Sequence, residues 1–238
     1  MNWLRRLFRR PPELSGEHRA AIAAYQGLAA PSPAPSARAT RFVVLDVESS
    51  GLNPFRDRLL SIGAVVVQGG VIRLEAALEV VLKQDTPSDI RNILVHGIDG
   101  AAQLGGEDPR AALLSFLAFA GKQPLVGYHV DFDRVMIERA TKRFLGIDLA
   151  NDWLDLARLV PGLFPKEGAA GRGLDYWLGV FGIDNAARHN ALSDALASAQ
   201  LLQVALARAE AAGKRGYTDL RRIDDDQGWL QRAQREPR

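Results

Sequence analysis

Phe42, Val43, Val44 and Leu45 make an unbroken apolar run, and the run ends in Asp46-Val47-Glu48. Such a run reads as a strand buried on both faces, so the chain must lay structure on each side of a sheet. Side chains alternate along a strand, which sends Asp46 and Glu48 to one face with their carboxylates within reach of each other. Like charges held together away from water cost several kcal/mol unless a positive charge compensates. A divalent cation compensates most directly, and an all-oxygen ligand set favours Mg²⁺ or Mn²⁺ over zinc. Taken alone, an Asp-x-Glu pair is a solvated strand end. It gains meaning only from the residues that join it.

The rest of the chain suits a layered domain. Its 238 residues leave room for one sizeable domain with extensions. Its 47% hydrophobic and 24% charged residues are in the range of soluble globular proteins. The lack of cysteine excludes disulfides and thiolate metal sites and is compatible with a reducing compartment. No apolar run approaches the roughly 18 residues of a membrane span. The basic MNWLRRLFRR start is not followed by the apolar segment of a signal peptide. A cytoplasmic protein without membrane contact is expected.

Charge is unevenly placed. Residues 1–40 hold six arginines against Glu13 and Glu17, a balance of +4, which leaves −2 for the remainder of a chain whose total is +2. A basic head suits an anionic partner, although incidental arginines on a solvated helix or arm fit the same counts. Trp3, Leu4 and Leu7, placed among Arg5-Arg6 and Arg9-Arg10, also allow a docking helix for a protein partner. Pro31 to Arg38, PSPAPSAR, is a linker by composition. The expected organisation is a basic N-terminal arm and Pro/Ser/Ala linker over 1–40, a folded domain over 41–212, and a C-terminal extension over 213–238.

Within the domain, Phe42–Glu48, Leu59–Gln68 and Val71–Leu82 read as strands, and Gln68-Gly69-Gly70 predicts a hairpin between the last two. Asp108, Pro109 and Gly121 bracket a helix as its cap, first residue and stop. Pro124–Val130 reads as another buried strand. Phe132, Met136, Ala140 and Phe144 recur at helical spacing, and a long Ala/Leu-rich helix is expected over roughly Ala191–Ala212, ahead of Gly213. Strands first, then alternating helix and strand, indicate an α/β or α+β domain.

Two more acids join the first pair. Asp133 stands at the start of the helix that follows YHVDF, and His189 precedes Asp194 by five positions at the entry to the long helix. Singly, these acids are helix caps or solvated helix residues, and a lone histidine is more often structural than catalytic. The ordered set is harder to explain that way. Asp46-x-Glu48, Asp133 and His189-x4-Asp194 resemble the three motifs of the DnaQ-like 3′–5′ exonucleases of the DEDDh class, which includes the proofreading epsilon subunit of bacterial DNA polymerase III. The likeness extends over roughly Arg41 to Leu206. VHGI at 95–98, DLAR at 155–158 and LDYWLGVFGI at 174–183 are similar to family segments between the motifs.

The resemblance implies a ribonuclease H-like α/β fold, a central mixed sheet flanked by helices. It also implies a metal-dependent enzyme that releases nucleoside 5′-monophosphates from the 3′ end of single-stranded DNA or RNA. Phosphodiester hydrolysis gathers charge on the attacking, non-bridging and leaving oxygens, and two metal ions about 4 Å apart stabilise it. Asp46, Glu48 and Asp194 would bind two Mg²⁺ or Mn²⁺ ions, with Asp133 as a further ligand holding the second, directly or through a water. The likeness assigns His189 the role of general base, for which an ordinary imidazole pKa near 6.5 is suited. It places Ser49, Gly51 and Leu52, with Phe132 and His96, around the terminal nucleotide. A DNA polymerase or another protein partner is expected at the N-terminal arm.

Three positions depart from the family pattern. Tyr128-His129 stands where His-Asn is common, Ser49 replaces the common Thr, and Arg91 lies where the epsilon subunit carries a substrate-contacting acid. None removes a catalytic ligand, so the departures bear on substrate choice. Two other readings stay open: an exoribonuclease acting on RNA ends or oligoribonucleotides, since the motifs handle the phosphate rather than the 2′-OH, and a catalytically silent nucleic-acid-binding module. GRGLDY at 171–176 lacks the third glycine of a dinucleotide fingerprint, and DDDQG at 224–228 misses the calcium-loop spacing. His129 reads as a core or hinge histidine, Asp224 to Asp226 as a solvated turn, and Trp229 and Leu230 as a cap on the domain.

Overall fold

The computed structural model describes residues 12–31, 34–167 and 171–235. Five strands form one mixed sheet: β1 (Phe42–Ser49), β2 (Leu59–Gln68), β3 (Val71–Val81), β4 (Leu125–Gly127) and β5 (Trp153–Asp155), in the order β3-β2-β1-β4-β5. The first three make an antiparallel meander, while β4 and β5 add in parallel beside β1. Gly69 and Gly70 both take positive φ, 66° and 74°, as a two-residue hairpin turn matching the strand twist requires.

Nine helices are described: α1 (Gly16–Gly27), α2 (Ile90–His96), α3 (Gly100–Gly105), α4 (Pro109–Ala120), α5 (Asp131–Phe144), α6 (Leu156–Leu163), α7 (Leu174–Phe181), α8 (Ala191–Ala211) and α9 (Tyr217–Arg235). They cover both faces of the sheet, and the alternation of β1 sorts its residues between two cores. Val43, Leu45 and Val47 pack with Phe116 of α4 and Ile137 of α5. Phe42 and Val44 pack with Leu159 of α6, Trp177 of α7 and Leu202 of α8. Asp46 and Glu48 continue the second set, so β1 delivers both acids to the face on which α8 lies.

Gly63 of β2 sits opposite Asp46 in the strand pairing. A Cβ on Gly63 would fall 2.2 Å from the main-chain carbon of Ala191 and the nitrogen of Leu192. The bare backbone therefore lets the first turn of α8 rest directly on the sheet beside Asp46, the close approach that a glycine inside a strand often marks.

The structure differs from the sequence reading in four places. The strand expected over 124–130 stops at Gly127, because His129 turns the chain at a φ of 58° into α5; that residue is exposed, so it is a hinge and not a core histidine. Asp224 to Asp226 lie inside α9, not in a turn. Asp224 is buried, accepting from Arg158 Nε at 2.5 Å and from the Asp155 amide at 3.2 Å. Trp229 and Leu230, expected to cap the domain, are exposed, since α9 buries Leu220, Asp224 and Gly228 on the opposite side. Finally, part of the segment expected as an arm is built into the core. Ser15 caps α1, and Ile22 and Tyr25, three apart on one face, are buried against the α4 side of the sheet. Arg5, Arg6, Arg9, Arg10, Trp3, Leu4 and Leu7 lie outside the described residues.

Candidate active site

The acids converge where β1 ends and α8 begins. Asp46, Glu48 and Asp194 each offer an oxygen, and these oxygens lie within 4.8 Å of one another. The β1–β2 register shifts between Glu48 and Ser49, so the strand is irregular where its acids are presented; bulges commonly re-aim side chains at such sites. Asn190 caps α8 by accepting from the Ser193 amide at 2.9 Å, which puts Asp194 in the first turn of the helix.

Asp194 is almost fully buried and held from three sides. Asn185 Nδ2 and the Arg188 guanidinium, the latter at 2.5 Å, donate to one carboxylate oxygen, and the main-chain N–H of His189 donates to the other at 3.1 Å. His189 itself is exposed and takes a φ of 63°, a conformation few residues with a side chain adopt. The main chain at 189 is thus tied to the acid while the residue stays open to solvent.

Asp133 approaches from the other face. It lies in the first turn of α5, is buried, and accepts from the Val47 amide at 3.0 Å, between the two acids of β1. Among the described residues it stands outside the tight cluster of three oxygens, yet its charge is felt there. Burial, then the charges of Asp133 and Asp194, push the Asp46 carboxyl well above its usual range. Burial and the neighbouring Asp46 and Asp194 raise Glu48 to about 8, and burial raises Asp133 to about 8. The site thus gathers four carboxylates, with Arg188 against Asp194. All-oxygen donors at this spacing fit hard divalent cations, which would restore the ionised forms.

The turn after β1 is pre-shaped. Ser49 Oγ donates to the Gly51 carbonyl at 2.6 Å, and Gly51 lies so close over the Asp57 carboxylate that a Cβ would come within 2.6 Å of it. Leu52 projects into solvent, 95% exposed, with Phe55 beside it. Asn92 of α2 donates to the Ser50 carbonyl and ties that helix to the turn. Phe132 is partly buried against the core at the start of α5. His96, expected near the terminal nucleotide, lies on the helix tied to this turn. It is buried at the end of α2, with Nδ1 accepting from the Ile98 amide and Nε2 facing Ser88 Oγ, and burial lowers its pKa.

Four features of the site were not read from the sequence. Arg188 and Asn185 grip Asp194, and Gly63 makes room for α8. Asp155 accepts from the His129 amide at 2.9 Å and lies 3.5 Å from Arg158, which pairs in turn with Asp224 of α9. The C-terminal helix is thereby connected to the hinge that launches Asp133. Gly63 had a signal, a glycine within an apolar strand; Asp155 and Arg158 meet partners far away in sequence, and Asn185 and Arg188 lie in the irregular segment just before α8, where no periodicity shows their direction.

The family model described as exonuclease matches residues 43–202. The DNA polymerase III subunit epsilon of Aquifex aeolicus is 29% identical over 160 residues, 67% of this chain and 77% of that protein. The PolC-type DNA polymerase III of Thermotoga petrophila is 29% identical over 184 residues, 77% of this chain but 13% of that much longer protein. Among solved structures, E. coli exonuclease I in complex with a dT13 oligonucleotide superposes with a TM-score of 0.61 at 19% identity, covering 73% of this chain and 42% of that one. That likeness concerns the fold, a mixed sheet flanked by helices.

Proposed function

Since the chain belongs to the DnaQ-like exonuclease family, we propose that it removes nucleotides from the 3′ end of single-stranded DNA as 5′-monophosphates. The observation that carries this reading is the convergence of Asp46, Glu48 and Asp194 to within 4.8 Å beside the exposed His189. Asp46 and Glu48 from β1 and Asp194 from α8 would hold two Mg²⁺ or Mn²⁺ ions, with Asp133 steadying the second through its neighbours. When bound, such ions supply positive charge at the attacking and leaving oxygens of the phosphodiester. His189 accepts the proton of the attacking water, its position set by the hydrogen bond from its own amide to Asp194. The turn of Ser49, Gly51 and Leu52 packs the terminal nucleotide, with Leu52 free to meet a base. Four carboxylates would otherwise repel a polyanion, so substrate and cations are expected to bind together. Partnership with a polymerase is supported by the epsilon and PolC-type relatives.

A single-stranded oligonucleotide labelled at its 5′ end, incubated with Mg²⁺ or Mn²⁺, tests the reading. A ladder shortening from the 3′ end, mononucleotide products and loss of both on chelation are expected. Internal cuts would refute the exonuclease assignment. A matched RNA oligomer degraded faster than the DNA would move the substrate to RNA.

A further inference from the structure

Behind the turn of residues 49–58 lies a second concavity of about 410 Å³ with a mixed polar and apolar lining and a basic rim. Leu82 and Met136 are buried beneath it, and the half-buried Phe144 offers an aromatic surface. Seven basic side chains, Arg58 and Arg139 among them, stand around it against three carboxylates, a balance of +4 on a chain whose total is +2.

Arg110 pairs with Asp108 at 3.4 Å and Lys142 with Asp148 at 2.7 Å, whereas Arg58 and Arg143 meet uncharged groups. Arg58 donates to the carbonyl oxygens of Thr86 at 2.7 Å and Pro87 at 3.4 Å, and Arg139 donates to those of Pro54 and Asp57. Arg143 lies 4.9 Å from the centre of the Phe144 ring. At Arg58 and Arg143, carbonyls and a ring orient the guanidinium without cancelling its charge. Asp57 serves the backbone by accepting from the amide of Asn53, and Asp108 accepts from both the amide and the guanidinium of Arg110. A half-buried aromatic ring, Phe144, beneath a cationic rim suits single-stranded nucleic acid, whose bases need a surface and whose phosphates need charge.

The groove is mechanically continuous with the acids. Helix α5 carries Asp133 in its first turn and Met136, Arg139, Arg143 and Phe144 along the turns that follow. At about 1.5 Å per residue the span from Asp133 to Phe144 is roughly 16 Å. A strand lying along it would reach the groove some nucleotides back from its end.

We infer that this groove binds the single strand behind the nucleotide being cleaved, an inference that rests on the exonuclease reading for its substrate. The test is the full chain carrying Arg56→Glu, Lys83→Glu and Arg143→Glu, all at exposed positions. Binding of a fluorescent oligodeoxynucleotide of about 20 residues and of a dinucleotide is followed by anisotropy over a salt series with chelator present. The long strand should lose affinity at least roughly tenfold, with its salt slope flattened by about 0.7 for each phosphate contact removed. The dinucleotide should lose far less. Lys83→Gln with Arg143→Gln should give a smaller loss and a smaller change of slope. Equal losses on both lengths, or an unaltered slope, would overturn the inference. Length-dependent binding through the groove by a wild-type chain that releases no mononucleotide would uphold the groove and refute the exonuclease reading instead.

Discussion

The guanidinium of Arg188 lies 2.5 Å from Asp194 and 2.7 Å from Asp175 of α7, so one cation bridges a site acid and the neighbouring helix. It therefore shares a carboxylate with any metal held by Asp46, Glu48 and Asp194. Removing it takes away both a competitor for the carboxylate and a repelling charge. Arg188→Gln should bind Mn²⁺ more tightly, by roughly tenfold if one charge-assisted hydrogen bond is exchanged. Electron paramagnetic resonance titration of free Mn²⁺ measures this directly. Weaker binding would make Arg188 a support of the site.

The acids should separate by role. Asp46→Ala, Glu48→Ala and Asp194→Ala remove charge where the reaction needs it, and turnover should fall by roughly 10²–10³-fold or more with the fold retained. Asp133→Asn is the sharper variant, because an amide oxygen can still accept from the Val47 amide while the charge is lost. Near-normal turnover with unchanged circular dichroism would remove Asp133 from the reaction.

Stability should depend on pH in a direction fixed by the raised carboxylates. Glu48, ordinarily at 4.5, is held at about 8 by burial and by Asp46 and Asp194. Between those values the folded chain keeps a proton that the unfolded chain has released, so stability falls as pH rises through the window. Asp133, also raised to about 8, adds to the same slope. Metal-free protein should thus melt at lower temperature near pH 8 than near pH 5, at roughly 2–4 °C per kcal/mol. Mg²⁺ should oppose the trend by binding the ionised forms. Glu48→Gln should raise the melting temperature at the alkaline end. A flat profile in chelator would contradict the burial of these charges.

Gly63 offers a test of how α8 is seated. An added methyl would meet Ala191 and Leu192 main chain at 2.2 Å, and backbone cannot yield as a flexible side chain does. Gly63→Ala should lower stability by about 1–3 kcal/mol, the usual range for overpacking. It should also weaken metal binding by carrying Asp194 away from Asp46. Val65→Ala in the same strand, which leaves a cavity without pushing α8, should lose stability but keep metal affinity. Equal metal affinity in both variants would show that α8 is not set by this contact.

Much of the site was legible because its acids lie on strongly periodic segments. The first strand was expected over Phe42–Glu48 and runs Phe42–Ser49; the second was expected and found at Leu59–Gln68. Period-two alternation therefore placed Asp46 and Glu48 together, and the Ala/Leu-rich run that stops before Gly213 put Asp194 at the entry of a helix. Helix α9 was missed because its buried face carries Asp224 and Gly228, which mimic turn residues unless Arg158 is known to lie opposite. Strand β5 spans only Trp153–Asp155, too short to show any period. Helix α1 was hidden by its arginine-rich surroundings, with Ile22 and Tyr25 as its few inward residues.

The first helix changes how the N-terminal segment can be tested. Tyr25 Oη donates to Asn151 Oδ1 at 2.9 Å, and Asn151 Nδ2 in turn donates to the carbonyls of Gly121 and Gln123. Lys122 stands 3.5 Å from the centre of the Tyr25 ring. Deleting residues 1–40 therefore strips the core of Ile22 and Tyr25 and leaves Asn151 Oδ1 without its donor. The cost should be several kcal/mol, since losing one large buried side chain alone costs about 2–5. Any loss of nucleic-acid binding in that variant would be confounded by unfolding. Deleting residues 1–11 instead removes Arg5, Arg6, Arg9 and Arg10 and keeps α1 with its Ser15 cap. If the basic segment contacts phosphates, this variant should melt at the wild-type temperature while its salt slope on a long oligonucleotide falls by roughly 0.7 per contact. Unaltered slope and affinity, with melting preserved, would leave Trp3, Leu4 and Leu7 and a protein partner as the better account of the segment.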